Sequence, residues 1–231
     1  MTDLSIIYYT DNSLPAAFAE AARRKLEAAA LVWHVPIVCV SQEQLDFGDE
    51  QICIGPIGRS FRSIYRQIIS GCERARTEYV ALCEHDVMYS ISHFKIRPHG
   101  TAEGVYDQNV HRLLLDARVI CLYRGGRSMS LLLGCREAIL ENLRSKLSLF
   151  ESEDDFHGRF EPGKGEAELG IAAFRALPAA PPGPPTVQIC NHGSNFSRAK
   201  KRPGDWHTDR LPDDSTVDEL IERWHLPVRG G

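Results

Sequence analysis

Apolar and polar positions alternate between two kinds of segment in the first third of the chain. Short apolar runs typical of buried strands occur three times, at residues 4–9, 35–40 and 79–83. Two longer segments have the spacing of amphipathic helices. One is capped by Ser13, has Pro15 in its first turn and continues to about residue 30, and the other covers residues 60–75. Strands that alternate with helices predict βαβ units and a largely parallel sheet.

The rest of the chain has a more mixed pattern. Short strands separated by turns are predicted at residues 105–106, 119–123, 129–133 and 187–190, and helices at 136–150, 166–176 and 216–224. Residues 178–185 contain five prolines, so we expect a stiff, extended connector there. With 231 residues in all, the pattern indicates a single α/β domain.

Composition excludes several classes of protein. The formal charge of −4 does not indicate a nucleic-acid-binding protein. No apolar run approaches the roughly 18 to 20 residues that span a bilayer, and the first residues lack the pattern of a secretion signal. The seven cysteines include no C-x-x-C pair, so zinc and redox motifs have no support, and their apolar surroundings fit a reducing compartment. We therefore expect a cytoplasmic protein.

The most informative polar cluster follows the predicted strand at residues 79–83. Glu84 and Asp86, with His85 between them, leave the expected carboxyl end of that strand. Two carboxylates at i and i+2 can point into one volume above the sheet edge, where open α/β sheets bind their ligands. Such oxygen ligands suit Mg²⁺ or Mn²⁺ carrying a phosphorylated substrate. A solvated acidic turn is the plainer alternative.

The sequence around this cluster resembles a known family. Residues 71–86 read GCERARTEYVALCEHD, an order similar to that of GT-A-fold glycosyltransferases, especially the family-2-type group. In that group a strand that begins with glutamate-tyrosine leads into an Asp-x-Asp motif, and Glu84-His85-Asp86 stands in its place here. The resemblance covers residues 1–90 well and 130–176 loosely.

This resemblance implies a fold and a division of the chain. The fold would be a single GT-A (nucleotide-diphospho-sugar transferase) domain over residues 1–231, with a Rossmann-like mixed sheet flanked by helices. Its parts would be a nucleotide-sugar-binding half, an acceptor half, the proline-rich connector and a segment that closes the site, at residues 1–97, 98–177, 178–185 and 186–231.

The implied activity is metal-dependent transfer of a sugar from a nucleoside-diphosphate donor to an acceptor hydroxyl, with inversion at the anomeric carbon. The implied ligands of Mn²⁺ or Mg²⁺ are Glu84 and Asp86, with His192 as the first choice for a third ligand and His207 as the second. The residues implied in donor binding are Thr10, Asp11, Asn12, Arg59, Arg62, Glu84, His85 and Asp86.

An inverting transfer also needs a carboxylate that takes the proton of the acceptor hydroxyl. Matching Leu169 to a leucine that is usual in the family places Glu166 at that position. Its rivals in the same acidic stretch are Asp154, Asp155 and Glu161. Weaker candidates for lining the sugar or acceptor site are Tyr106, Asp107 and Asn109.

Other functions remain open at this stage. The basic run at residues 198–202, close to Trp206 and His207, could bind a polyanion. The acceptor could then be a hydroxymethylated base of DNA, as for some viral glycosyltransferases, rather than a glycan or a small molecule. The altered acidic motif also fits a non-catalytic module that binds nucleotide-sugars. A sugar nucleotidyltransferase is disfavoured, because residues 8–12 lack a glycine-rich, basic phosphate loop.

Overall fold

The computed structural model describes residues 3–123, 126–193, 206–208 and 210–227. Its strands are β1 (Leu4–Thr10), β2 (Ile37–Ser41), β3 (Glu50–Cys53), β4 (Tyr79–Glu84), β5 (Val87–Met88), β6 (Glu103–Asp107), β7 (Val110–Leu114), β8 (Val119–Tyr123), β9 (Leu132–Cys135), β10 (Arg175–Ala179), β11 (Thr186–Cys190) and β12 (Trp206–Thr208). Its α-helices are α1 (Ala16–Trp33), α2 (Phe61–Arg74), α3 (Arg136–Leu149), α4 (Glu166–Leu169) and α5 (Val217–Arg223).

The main sheet has seven strands in the order β10-β6-β9-β4-β1-β2-β3. All neighbouring pairs are parallel except those of β9, which runs antiparallel to both β4 and β6. Apolar side chains of α2 and α3 pack on one face of β1 and β4, and those of α1 pack on the other face. The prediction of an α/β fold with a mixed sheet flanked by helices is therefore confirmed.

A second sheet of five strands, in the order β12-β8-β7-β11-β5, was not predicted. The chain enters it three times from the main sheet, from β4 to β5, from β6 to β7 and from β10 to β11, and the last two of these passages run in parallel. One face of this sheet packs against α1 and α5 through apolar residues such as Phe18, Ile189 and Leu220. Strand β5 escaped prediction because it has only two residues, and β7, with the sequence VHRLL, because it lacks a regular alternation.

Three sequence-based expectations about elements are wrong in detail. Ser13 does not cap α1: the helix follows Pro15 without a side-chain cap, and the Ser13 hydroxyl donates to Asp11 instead. The helix expected at residues 166–176 is only α4, because Gly170 adopts a left-handed conformation at its end. The segment expected at 129–133 as a strand begins as a 3₁₀ turn, Met129–Leu131, and only then enters β9.

The proline-rich segment also differs from the expected connector. Pro178 and Ala179 belong to β10, which lies at the edge of the main sheet, where a proline costs no ladder hydrogen bond. The Asn109 side-chain amide then donates to the carbonyls of Pro181 and Gly183, at 3.1 and 3.0 Å. The extended run is therefore held against the start of β7. The division of the chain into two halves stays a prediction.

In the part of the chain that the structure describes, no helix is both long enough and apolar enough to cross a bilayer.

Candidate active site

The predicted acidic cluster lies where β1 and β4 end side by side. These strands are parallel, with Tyr9 opposite Glu84, so the residues that follow them leave the sheet at the same edge. The Thr10 hydroxyl is 2.7 Å from Nδ1 of His85, and the nearer carboxylate oxygen of Asp11 is 3.5 Å from the same nitrogen. The sheet topology thus brings together residues that are 75 positions apart in the sequence.

Asp86 meets His192 at the same edge. Strand β5 pairs with β11, and the Ile189 amide donates to the Asp86 carbonyl at 3.0 Å. The chain then places the fully buried His192 ring so that its Nε2 lies 3.1 Å from the Asp86 carboxylate. The Phe18 ring packs against this imidazole at a centroid distance of 5.7 Å. His192, which follows β11, is thereby held in contact with Asp86 of the acidic motif.

The electrostatics of the cluster differ from residue to residue. Burial raises the pKa of Glu84 well above its ordinary value, and the neighbouring Asp86 and Asp11 carboxylates raise it further. Burial also lowers the pKa of His85, although the two aspartates oppose that shift. For Asp11, burial acts upward, but His85, hydrogen bonds from Ser13 and the Arg59 guanidinium leave its pKa below the ordinary value. A cation bound beside Glu84 would favour the charged form of its carboxyl and so oppose this upward shift.

A divalent cation fits this arrangement only with help from a ligand. Among the described residues, no three histidine, cysteine or carboxylate side chains converge on one point. Mg²⁺ is commonly held by one or two carboxylates plus substrate phosphates and water. Asp86 with His192, beside Glu84, meets that smaller requirement. The carboxylate of Asp86 would be the principal ligand of the cation.

The strand that carries His207 lies elsewhere. In the second sheet β12 is three strands away from β11, a backbone separation of about 14 Å at the usual strand spacing. The side chain of His207 lies outside the described part of the chain. The structure therefore brings His192, and not the strand of His207, to Asp86.

The loop after β1 is tied to its neighbours on both sides. Arg59 Nε is 2.6 Å from the Asp11 carboxylate, so this guanidinium reaches the acidic edge. Asn12 adopts a left-handed conformation with φ of 61°, and its side-chain oxygen accepts the amides of Gln42 and Glu43 at 2.9 and 3.0 Å. The Asn12 side chain thus shapes the loop.

Gln42 is a site residue that sequence reasoning missed. Its side-chain oxygen accepts the amides of Ile57 and Gly58, both at 3.1 Å, and its amide nitrogen donates to the Gly58 carbonyl at 2.6 Å. It thereby fixes the loop that presents Arg59. No local motif marks this role, because the partners lie about 15 positions away.

Arg62 is directed away from the acidic edge. Its guanidinium donates to the Phe150 carbonyl just beyond α3. Nearby, the Glu153 carboxylate accepts the Phe61 amide at 2.9 Å, so one of the chain's own carboxylates binds the first turn of α2.

The four candidate bases have very different surroundings. Asp154 has a 96% exposed side chain, whereas Asp155 caps a short 3₁₀ turn by accepting the amides of Glu151 and Ser152. Glu161 pairs with Lys164 at 2.7 Å. It belongs to the loop whose Pro162 carbonyl accepts the Tyr106 hydroxyl at 2.9 Å, near the carboxyl end of β6.

Glu166, the first-choice base, lies in a closed network. One of its carboxylate oxygens accepts from Asn142, from the Gly163 amide and from Lys146, at 2.8, 2.7 and 3.0 Å. Burial acts to raise its pKa, but the hydrogen bonds from Asn142 and Lys146 leave the pKa of this carboxyl below its ordinary value. These contacts bind the loop at 159–165 to α3.

The three weaker candidates after the motif also have contacts within the protein. The Tyr106 hydroxyl contacts the loop described above, and Asp107 is fully buried with an oxygen 2.8 Å from Nδ1 of His93. Asn109 holds the proline-rich segment. The basic run at residues 198–202 lies outside the described residues.

No family model and no curated protein sequence matches the chain. Among solved structures, it is similar to a glycosyltransferase involved in the glycosylation of the major capsid of PBCV-1, with 13% identity and a TM-score of 0.47 over 82% of this chain and 94% of that one. It is also similar to a mutant of Drosophila β-1,4-galactosyltransferase 7 in complex with manganese, UDP-Gal and xylobiose. The identity is 12% and the TM-score 0.47, over 88% of this chain and 77% of that one. A further likeness is to the bifunctional IspDF of Campylobacter jejuni, with 8% identity and a TM-score of 0.43 over 78% of this chain and 50% of that one. At these identities the likeness concerns the arrangement of strands and helices and says nothing about activity.

Proposed function

We propose that this chain is a GT-A-type glycosyltransferase that moves a sugar from a nucleoside-diphosphate donor to an acceptor hydroxyl, with a divalent cation and inversion. The observation that supports it most is the meeting of Asp86 and His192 at the carboxyl edge of β1 and β4. Asp11 and Glu84 lie at the same edge. An acidic pole at such an edge suits a cation that is bound together with a diphosphate.

In this proposal each residue has a defined task. Asp86 and His192 hold Mn²⁺ or Mg²⁺, which supplies Lewis-acid stabilisation of charge on the departing diphosphate. Arg59, fixed by Asp11 and by the loop that Gln42 braces, donates to a phosphate or ribose oxygen. Glu84 faces the donor beside them.

Among the four candidate carboxylates, we assign the proton-accepting role to Glu161. Its loop contacts Tyr106 near the carboxyl end of β6, and Lys164 pairs with its carboxylate. One oxygen of Glu166, by contrast, already accepts from three donors, and such a carboxylate is a weak proton acceptor because its charged form is already stabilised.

The experiment is a thermal-stability screen of nucleoside-diphosphate sugars (UDP-, GDP- and dTDP-linked) with and without Mn²⁺. A ligand that binds only the folded state adds about 2.7 kcal/mol at one hundred times its Kd. We expect one donor with Mn²⁺ to raise the unfolding midpoint of the wild type, and Asp86→Asn to lose most of that rise. Asp218→Asn is the matched control, because its side chain is 76% exposed on α5.

Turnover is then measured with the selected donor and a mixture of acceptors, read by mass spectrometry. Glu161→Gln should lower kcat by about 10²-fold or more while donor binding persists. Donor binding without any transfer or hydrolysis would favour a non-catalytic binding module instead. A screen in which no donor stabilises the protein, with or without Mn²⁺, would exclude both.

A further inference from the structure

The hydroxyl of Tyr9 is buried without a hydrogen-bond partner among the described residues. Tyr9 lies on β1 and is 2% exposed. A phenol hydroxyl is usually paired when it is buried, because desolvation without a partner is unfavourable. A phenylalanine would fill the same volume without that penalty, so the hydroxyl calls for an explanation outside the packing of the free protein.

This hydroxyl belongs to the acidic edge. Tyr9 stands directly opposite Glu84 in the parallel register of β1 and β4, so both side chains are on the face that α2 and α3 cover. Burial raises the pKa of Tyr9 well above its ordinary value, and the next largest causes are the charges of Glu84 and then Asp86. Glu84 is only partly buried, so part of this residue is accessible from the open edge.

Tyr8 provides an internal comparison. It precedes Tyr9 on β1, its hydroxyl is also buried without a partner in the described ranges, and its ring packs on Phe47 on the opposite face of the sheet. Burial again raises its pKa, but here the Arg23 guanidinium, and not a carboxylate, is the largest charge effect, and it acts against that shift. Two adjacent tyrosines therefore share their chemistry and burial, and only Tyr9 faces the acidic edge.

We propose that Tyr9 is a positioning residue for Glu84 in the donor-bound site. Its O–H donates to one oxygen of the Glu84 carboxylate, whose other oxygen accepts hydrogen bonds from hydroxyls of the transferred sugar. In its ionised form, which a neighbouring cation favours, a carboxylate only accepts, whereas a phenol and a sugar hydroxyl can both donate, so the three groups are complementary. The inference rests on the proposed function and adds that Glu84 binds the transferred sugar of the donor.

The test compares Tyr9→Phe with Tyr8→Phe, each of which removes one buried unpaired hydroxyl. Calorimetry measures the affinity for UDP and for UDP-glucose in Mn²⁺, or for the nucleotide pair that the screen selects. We expect Tyr9→Phe to bind the diphosphate within about twofold of the wild type and the sugar donor about tenfold more weakly, since hydrogen bonds to charged groups have this size. Tyr8→Phe should change neither affinity.

The unfolding midpoint of the free protein provides a readout that a purely structural role would change. Because the hydroxyl is unpaired in the free state, neither variant should lower this midpoint. A Tyr9→Phe protein that unfolds earlier and binds both ligands equally weakly would overturn the inference, as would one with unchanged affinity for the sugar donor. If the wild type binds neither ligand, the proposed function fails and the inference fails with it. If the wild type binds both and only the Tyr9 effect is missing, the proposed function stands alone.

Discussion

Glu84 and Glu166 are two glutamates whose surroundings shift their carboxyl pKa values in opposite directions. Burial and two neighbouring carboxylates raise the pKa of Glu84, whereas donors from Asn142 and Lys146 outweigh burial and lower that of Glu166. Lys146 is fully buried, and its ammonium group also donates to three backbone carbonyls. The Glu166 network therefore favours the charged form of its carboxyl, whereas burial and the neighbouring carboxylates favour the neutral form of Glu84.

Glu166→Gln should accordingly act on stability before activity. It leaves the Lys146 charge buried without its counter-charge, and the loss of one partner of such a pair costs roughly 3 kcal/mol. Urea unfolding of the wild type and the variant measures this loss. The double variant Lys146→Met/Glu166→Leu is the control, and it should lose less than the sum of the single changes. A variant of full stability with a large fall in kcat would instead return Glu166 to the role of base.

The difference in stability between the wild type and Glu166→Gln should depend on pH, because the pKa of Glu166 is lowered in the folded protein. A carboxyl whose pKa is depressed in the folded state contributes stability above its unfolded pKa, and this contribution is lost as the pH falls through the folded value. Below its ordinary value of 4.5, the wild type should progressively lose the advantage that it has over Glu166→Gln. Unfolding free energies measured from pH 7 to pH 3 test this, and a constant gap would contradict it.

At the scale of elements, the close approach of α2 to β1 depends on a glycine. A Cβ on Gly71 would overlap the Cγ2 of Ile7 and press on Val40. Alanine favours a helix over glycine by about 0.5–1 kcal/mol, but overpacking a core costs about 1–3 kcal/mol.

Gly71→Ala should therefore lower the free energy of unfolding by about 1 kcal/mol or more, despite its better helix propensity. Arg66→Ala, at an exposed position of the same helix, should stay within about 0.5 kcal/mol of the wild type. Denaturant titrations followed by circular dichroism give both values. A stabilised Gly71→Ala protein would show that helix and strand can separate to make room.

The sequence predicted elements well where the signal is local. The buried strands of the first third and helices α2 and α3 were expected within a few residues, since apolar runs and amphipathic spacing mark them. The prediction of a helix at residues 166–176 was wrong because Gly170 ends α4 and residues 175–179 pair with β6. That pairing depends on a partner strand some 70 positions away, which no local pattern reveals.

The candidate site divides in the same way. The convergence of the loop after β1 with residues 84–86 follows from parallel topology, so Asp11 and His85 could be placed from the sequence. The contact of Asp86 with His192 depends on the pairing of β11 with β5, and the two residues of β5 carry no recognisable local pattern. The roles of Gln42 and Tyr9 come from register and burial, which emerge only in three dimensions. The functional assignments of all these residues stay predictions.

At the scale of the whole molecule, the core controls which thiols react. Six of the seven cysteines are buried and only Cys53, on β3, is exposed. A thiol reacts as the accessible thiolate, so a colorimetric disulfide reagent should titrate one thiol quickly in the native protein and seven in urea. Cys53→Ser should remove the fast reaction. Several fast thiols in native protein would mean that the sheets open readily in solution.

The contact between Asp86 and His192 joins residues 106 positions apart. A ribosome releases the chain from its first residue at about 5–20 residues per second, so the acidic motif emerges roughly 5 to 20 s before its histidine does. During that interval β5 and the inner face of α1 also lack β11, which covers them later. The nascent protein therefore carries an incomplete site on a partly uncovered core. Only a chain synthesised at least as far as β11 and His192 can acquire the geometry on which donor binding would depend.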